Sequence, residues 1–196
     1  MAAIVVPFRG VGAKRRLEGL TDTARAELAL AMLGDVLVAA LAVGPTRVVT
    51  DDEVAGRLAR TLGSDLLADP GGGQGAAVAA ALAGIDGPAL VVNADVPCVT
   101  PRDLRALAAA VPAGGVALVE ARDGTTNALG LAAGSVFEPL YGPGSAARFL
   151  QLGAQGVSAV IPALRDDVDT LADLQRVSLR AGPRTQAAIA TLGLAA

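Results

Sequence analysis

Strand-like and helical segments alternate along most of the chain, and this alternation constrains the fold more than any other feature. Strands are predicted at residues 3–7, 47–50, 65–68, 89–93 and 116–120, and helices at residues 21–43, 51–62, 74–83 and 100–111. This pattern predicts a parallel α/β sheet with right-handed crossovers and helices on both faces. We expect one domain over residues 1–196.

The pattern becomes irregular after residue 120. Strands are predicted at residues 128–132 and 158–161, and helices at residues 146–155, at 170–179 and in the tail from residue 182. We expect residues 121–156 to form an antiparallel excursion over the active edge of the sheet.

The chain contains no histidine and one cysteine, Cys98. It therefore cannot form an internal disulfide, a catalytic triad with histidine or a histidine-ligated zinc site. A metal must be held by oxygen ligands, which favours Mg²⁺, with Mn²⁺ as the alternative. We expect Cys98 to be a packing residue.

Charge and hydropathy exclude two further classes of function. The net charge is −3, aromatic residues make up 2%, and no basic block is present, so nucleic acid is not an expected partner. No apolar run approaches the roughly 20 residues of a membrane helix, and no basic flank precedes the apolar residues 2–6. We expect a cytoplasmic protein with no membrane partner.

Ligands of such sheets bind at the carboxyl ends of strands, so the loops that follow strands are the first candidates for a binding site. Residues 7–17 combine two glycines with four cations, including Arg9, Lys14 and Arg16, which favours a phosphate-binding loop over a solvated turn. Three consecutive glycines, Gly71–Gly73, indicate either a tight turn or a backbone surface for a flat base or ribose.

Two acidic loops predict a metal site. Asp95 directly follows the most apolar strand, and Asp166, Asp167 and Asp169 precede a helix with a capping signal. Three carboxylates this close repel one another unless a cation lies among them, although one could serve the helix dipole. The alternative for Asp95 is a simple turn former.

Two neutral loops present hydrogen-bonding groups. Residues 123–127 include Thr126 and Asn127, and residues 141–145 include Gly142 and Ser145. Hydroxyl, amide and backbone N–H groups suit the phosphate or carboxylate of an acceptor molecule. Either loop could also be an ordinary turn.

Taken in order, these loops resemble the 2-phospho-L-lactate guanylyltransferase family, which includes bacterial phosphoenolpyruvate guanylyltransferases. The matching motifs are Asp69-Pro70-Gly71-Gly72-Gly73, Asp95-Val96-Pro97, Asp123-Gly124-Thr125-Thr126-Asn127, Tyr141-Gly142-Pro143-Gly144-Ser145 and Asp167-Val168-Asp169-Thr170. The chain departs from the family pattern at Asn93-Ala94, where a glycine is expected, and at Phe8-Arg9-Gly10.

The resemblance implies a three-layer, Rossmann-like nucleotidyltransferase fold and transfer of GMP from GTP to a small phosphorylated acid in coenzyme F-420 biosynthesis. By residue, it implies the following roles: Arg9, Lys14 and Arg16 for the triphosphate, Gly71–Gly73 for the nucleotide, Asp95, Asp167 and Asp169 for metal, and Thr126, Asn127, Gly142 and Ser145 for the acceptor. Lys14, Asp95 and Asp169 are the expected catalytic residues.

Several alternatives stay open at this point. The acceptor could be phosphoenolpyruvate, 2-phospho-L-lactate, 3-phosphoglycerate, molybdopterin or a sugar phosphate. A non-catalytic nucleotide-binding domain is the rival from another class, and it has no need of the clustered aspartates. The sequence leaves both a monomer and a homodimer open.

Overall fold

A computed structural model describes residues 1–10 and 17–194 of the chain, and all of its strands belong to one sheet. The strands are β1 (Ala3–Pro7), β2 (Thr46–Val49), β3 (Asp65–Leu67), β4 (Ala89–Val92), β5 (Val116–Glu120), β6 (Thr126–Leu131) and β7 (Gln155–Gly156). The α-helices are α1 (Asp22–Leu41), α2 (Glu53–Leu62), α3 (Gln74–Leu82), α4 (Pro101–Ala109), α5 (Ser145–Gln151), α6 (Leu171–Val177) and α7 (Pro183–Thr191).

The sheet is mostly parallel, as the sequence predicts. Within the described residues, its strand order is β3-β2-β1-β4-β6-β5-β7, and β6 alone runs against its neighbours β4 and β5. Because β6 is reversed, its first residues lie at the edge where β1 and β4 end. This reversal brings the loop before β6 to the carboxyl edge of the parallel strands.

Helices cover both faces of the sheet, because consecutive strand residues point to opposite sides. Ile4 and Val6 of β1 pack into a core with residues of α1, α2 and α4. Val5 points to the other face and packs with residues of α3 and α5. A third apolar cluster joins α1, α6 and α7 outside the main core. The predicted three-layer α/β architecture is confirmed.

Local capping signals set the start of several helices. Thr100 and Asp103 form a capping box at α4, and Thr170 and Asp173 form another at α6. Thr21 accepts a hydrogen bond from the backbone at the start of α1. These starts agree with the predictions to within a residue or two.

One predicted strand is wrong. Residues 158–160 form a turn and residue 161 belongs to no strand; the strand of this region is β7, which is two residues long and pairs with β5. Helix α5 ends at Gln151, short of the predicted residue 155, because Gly153 adopts a left-handed conformation, with φ of 92°, which terminates the helix. The apolar residue Ile161 is buried under the sheet without being part of it.

Cys98 is buried in the cluster of α1, α6 and α7, in agreement with a packing role. Across residues 1–10 and 17–194, no helix has both the length and the apolar character needed to span a membrane.

Candidate active site

Three aspartates meet at the carboxyl edge of the sheet. Asp95 lies just beyond the end of β4, and Asp167 and Asp169 lie in the segment before α6. One carboxylate oxygen from each lies within 4.8 Å of the others, and all three side chains are partly exposed. The structure therefore brings together the three residues that the sequence suggested as metal ligands.

The backbone holds the two acidic segments together. The Val168 amide donates a hydrogen bond to the Asp95 carbonyl over 3.0 Å, and the Val168 side chain is fully buried. Val168 is buried, whereas the carboxylates of its two neighbours, Asp167 and Asp169, both lie in the cluster with Asp95. A short apolar anchor thus presents both carboxylates to Asp95.

Asp166 is held elsewhere, so the expectation that all three acidic groups of this segment crowd one another is wrong for this residue. Its side chain is 3% exposed and accepts hydrogen bonds from Arg122 and Arg180 over 2.7 and 2.8 Å, and Arg176 lies 3.6 Å away. Burial alone would raise the pKa of Asp166, but the bonds from Arg180 and Arg122 outweigh it and lower the pKa.

Asp167 experiences the opposite balance. Burial raises the pKa of its carboxyl to about 6, and the nearby negative charge of Asp95 adds to the rise. A hydrogen bond from the Asn127 amide, over 3.2 Å, opposes this shift. The cluster thus concentrates negative charge, and a divalent cation among the three carboxylates would relieve it.

A cavity of about 330 Å³ lies on one side of the cluster, and we call it the β1 pocket. Its walls come from the segment after β1, from α1 and from the loops after β3 and β4. Arg9 and Gly10 line it on one side, and Asp69 and Gln74 line it on another. Its position at the carboxyl ends of parallel strands is typical of nucleotide sites.

A second cavity, of about 470 Å³, lies on the other side and is called the β6 pocket. It is lined by Asp123 in the turn before β6, by Thr126 at the start of β6 and by residues 141–145. Asp95 and Asp169 line both cavities, together with Gln74 and Asn93. The acidic cluster therefore lies where molecules bound in the two pockets would meet.

The predicted nucleotide residues fall into three groups. Arg9 is exposed and lines the β1 pocket. Gly71–Gly73 are exposed and all have φ between 78° and 90°, a conformation that side chains other than glycine rarely adopt. Lys14 and Arg16 lie outside the described residues.

Three of the four predicted acceptor residues line the β6 pocket. Gly142 lines it and is exposed, whereas Thr126 and Ser145 are buried in its wall with their hydroxyl oxygens 2.9 Å apart. The fourth predicted acceptor residue, Asn127, does not line this pocket: it is 1% exposed, and its side-chain amide donates to Asp167 instead.

Three polar residues of the site were given no role at the sequence level. Asp69 lines the β1 pocket and accepts a hydrogen bond from the Gly71 amide. Gln74 and Asn93 line both pockets and are hydrogen-bonded to each other over 2.7 Å. Their positions were the available signal, since Asp69 and Asn93 lie in loops after strands and Gln74 begins α3 at the same edge of the sheet.

Comparison with known proteins identifies the family. A model of the MobA-like NTP transferase domain matches residues 15–168. A phosphoenolpyruvate guanylyltransferase of Nocardia farcinica is 39% identical, over 97% of this chain and 91% of its own length. The chain belongs to this family of nucleotidyltransferases. The enzyme of the same name from Streptomyces avermitilis is 41% identical to this nucleotidyltransferase, over 96% of the chain and 94% of its own length.

Solved structures with low sequence identity share the nucleotidyltransferase fold. A putative nucleotide-diphospho-sugar transferase from Desulfovibrio desulfuricans superposes with a TM-score of 0.76 at 15% identity, covering 99% of this chain and 97% of its own. A nucleotidyl transferase from Methanothermobacter has a TM-score of 0.63 at 17% identity, with coverages of 97% and 99%. At such identities the likeness concerns the fold alone.

Proposed function

We propose that this nucleotidyltransferase transfers GMP from GTP to phosphoenolpyruvate and releases pyrophosphate. The observation that carries the proposal is the cluster of Asp95, Asp167 and Asp169 between two pockets. The names of its relatives support this donor and this acceptor. The product would enter the biosynthesis of coenzyme F-420, and we place the reaction in the cytoplasm, where both substrates are made.

The two pockets suit two anionic substrates. Arg9 in the β1 pocket supplies positive charge for the triphosphate, and Lys14 and Arg16 of the same loop are proposed to add to it. Gly71–Gly73 would shape the nucleotide site beside Asp69, with the backbone N–H groups of Gly72 and Gly73 as donors, since the Gly71 N–H already donates to Asp69. In the β6 pocket, Thr126, Gly142 and Ser145 supply neutral hydrogen-bonding groups for the acceptor.

The donor set fits Mg²⁺, with Mn²⁺ as a substitute, because all three side chains offer oxygen. Asp95, Asp167 and Asp169 would hold the ion. When bound, it neutralises charge that develops on the phosphates during transfer.

The reaction needs little from the protein beyond positioning. A phosphate oxygen of the acceptor forms a bond to the α-phosphorus of GTP, and the bond from that phosphorus to the oxygen bridging to the β-phosphate breaks. The electron pair leaves with pyrophosphate. No general base is required, since the acceptor phosphate is already ionised at neutral pH. The cationic loop that includes Arg9 would stabilise the departing pyrophosphate.

The direct test incubates the protein with each of the four NTPs and with phosphoenolpyruvate, 2-phospho-L-lactate or 3-phosphoglycerate, and measures pyrophosphate release. We expect the highest rate with GTP and phosphoenolpyruvate. Equal rates with ATP would contradict the donor assignment. A preference for another phospho-acid would contradict the acceptor and leave the reaction class intact.

The metal assignment is tested by Asp95→Asn and Asp169→Asn. Each should lower turnover on the order of a hundredfold, because neutralising transition-state charge contributes several kcal/mol. Asp86→Asn is the matched control, since Asp86 is exposed in the loop before β4, at the opposite edge of the sheet. Near-normal turnover in either folded variant, or full activity in excess EDTA, contradicts the assignment.

A further inference from the structure

Three amide side chains connect the two pockets to the acidic cluster. The Gln74 amide donates to the Asn93 side-chain oxygen over 2.7 Å. The Asn93 amide donates to the Asn127 side-chain oxygen over 3.4 Å, and the Asn127 amide donates to an Asp167 carboxylate oxygen over 3.2 Å. We propose that Gln74, Asn93 and Asn127 form an amide relay that positions Asp167 for metal binding.

The pairing of β4 with β6 brings two residues of the relay, Asn93 and Asn127, next to each other. Val92 of β4 lies opposite Ala128 of β6, and the Asn93 amide of the backbone donates to the Asn127 carbonyl over 2.9 Å. Asn93, directly after β4, thus lies opposite Asn127 of the antiparallel strand β6, where side chains of opposed residues share a face and lie close together. Gln74 reaches the same point from the first position of α3.

Chemistry permits one orientation of the relay. An ionised carboxylate only accepts hydrogen bonds, so the Asn127 nitrogen must face Asp167 and its oxygen must face Asn93. Asn93 therefore turns its nitrogen to Asn127 and its oxygen to Gln74. The Thr126 backbone carbonyl, which accepts from the same Asn93 nitrogen over 3.1 Å, requires this orientation independently. Every amide donor in the relay points towards Asp167.

The relay gives Asp167 a defined geometry. The hydrogen bond from Asn127 to one Asp167 carboxylate oxygen restrains the orientation of this carboxylate beside Asp95 and Asp169. Because Asn127 is 1% exposed, water cannot easily replace its hydrogen bond when the side chain is truncated. Asn127 thus acts as a positioning residue, and Asn93 and Gln74 act through it.

The inference rests on the proposed function, because Asp167 matters here as part of the metal site. The test is therefore a measurement of Mn²⁺ affinity on the nucleotide-free chain by electron paramagnetic resonance, with no turnover involved. Residues that hydrogen-bond to a metal ligand without touching the metal contribute about 10- to 100-fold to metal affinity. We expect Asn127→Ala and Asn93→Ala each to weaken Mn²⁺ binding by about tenfold.

Gln155→Ala is the matched control, since Gln155 is an exposed amide on edge strand β7. It should bind Mn²⁺ as the wild type does. The double variant Asn127→Ala with Asp167→Ala should bind no more weakly than Asp167→Ala alone, because the relay acts through that carboxylate. Additive losses would overturn the relay, because they would mean that Asn127 acts by another route.

Mn²⁺ affinities within twofold of wild type in the folded Asn127→Ala and Asn93→Ala variants also overturn the inference. If Asn127→Ala fails to fold, the Mn²⁺ affinity of Asn93→Ala tests the inference instead, because the Asn93 side chain is only partly buried and its truncation should not prevent folding. The pyrophosphate assay separates this failure from that of the proposed function. A wild-type chain that binds Mn²⁺ but transfers no GMP contradicts the proposed function and leaves the relay standing.

Discussion

Replacing Asp166 by asparagine tests whether the arginine cluster around this carboxylate stabilises the fold. Asp166 is 3% exposed and accepts charge-assisted hydrogen bonds from Arg122 and Arg180, which come from different parts of the chain. The Asp166→Asn change removes the negative charge and turns an N–H donor towards guanidinium groups that only donate. We therefore expect a lower melting temperature at neutral pH.

The magnitude follows from the contacts. A hydrogen bond to a charged group contributes roughly 1.5–3 kcal/mol. The Arg122 and Arg180 side chains are 55% and 51% exposed, so water replaces part of each hydrogen bond when it is lost. We therefore expect each bond to contribute about 1 kcal/mol to the free energy of unfolding. A loss of about 2 kcal/mol corresponds to a fall of roughly 4–8 °C in a chain of this size.

The difference should depend on pH in one direction. The folded-state pKa of Asp166 is lowered, so its stabilisation is fully present above the unfolded value of about 4 and disappears as pH falls through the folded value. Thermal melting of wild type and variant by circular dichroism should therefore show the full gap at pH 7 and a shrinking gap below pH 4.

Asp86→Asn controls for the change of net charge, since Asp86 is exposed and the same charge is removed. It should melt within about 2 °C of wild type, because surface substitutions usually change stability by less than about 0.5 kcal/mol. Two results would refute the reasoning. One is an Asp166→Asn melting temperature equal to that of the control at pH 7, and the other is a gap that persists undiminished at pH 3.

Three further predictions concern stability and reactivity. Asp35→Ala should cost about 2 kcal/mol in urea unfolding, because the buried Asp35 carboxylate accepts the backbone amides of Arg184 and Thr185 at the start of α7; an unchanged midpoint contradicts this. Gly130→Ala should cost about 1–3 kcal/mol in the same assay, since a Cβ there would lie 2.6 Å from a Val111 methyl group; wild-type stability would show that the site has room. Burial raises the pKa of the Cys98 thiol to about 11, so iodoacetamide at pH 7.5 should label it only after denaturation; rapid labelling of the native chain would disprove this.

Structural features that depend on contacts between residues close together in the chain could be predicted from the local sequence. The capping boxes at Thr100 and Thr170 were predictable because each joins residues three positions apart. The order of strands and helices, and hence the parallel sheet, followed from hydrophobic runs of different period. Asp95, Asp167 and Asp169 could be placed near one another because strand ends of a parallel sheet share an edge, and the resemblance to a known family agreed with that placement.

Tertiary structure decided what depends on distant partners. Strand β7 exists because residues 155–156 reach the free edge of β5, and nothing in the apolar pattern of residues 158–161 reveals that pairing. Asp166 and Asp167 are adjacent and chemically identical, yet one carboxylate turns to arginines and the other to the acidic cluster. The direction of each depends on partners such as Arg122 and Asn127, which are 44 and 40 positions away along the chain.

The contacts of the amide relay also depend on tertiary structure. Asn93 and Asn127 are 34 residues apart, and only the reversal of β6 against β4 makes them neighbours. The sequence by itself determined which residue types were available at the carboxyl edge, because strand ends can be read from local pattern. Which of these residues touch depends on strand order and direction, because many weak, long-range contacts of the core select that arrangement together.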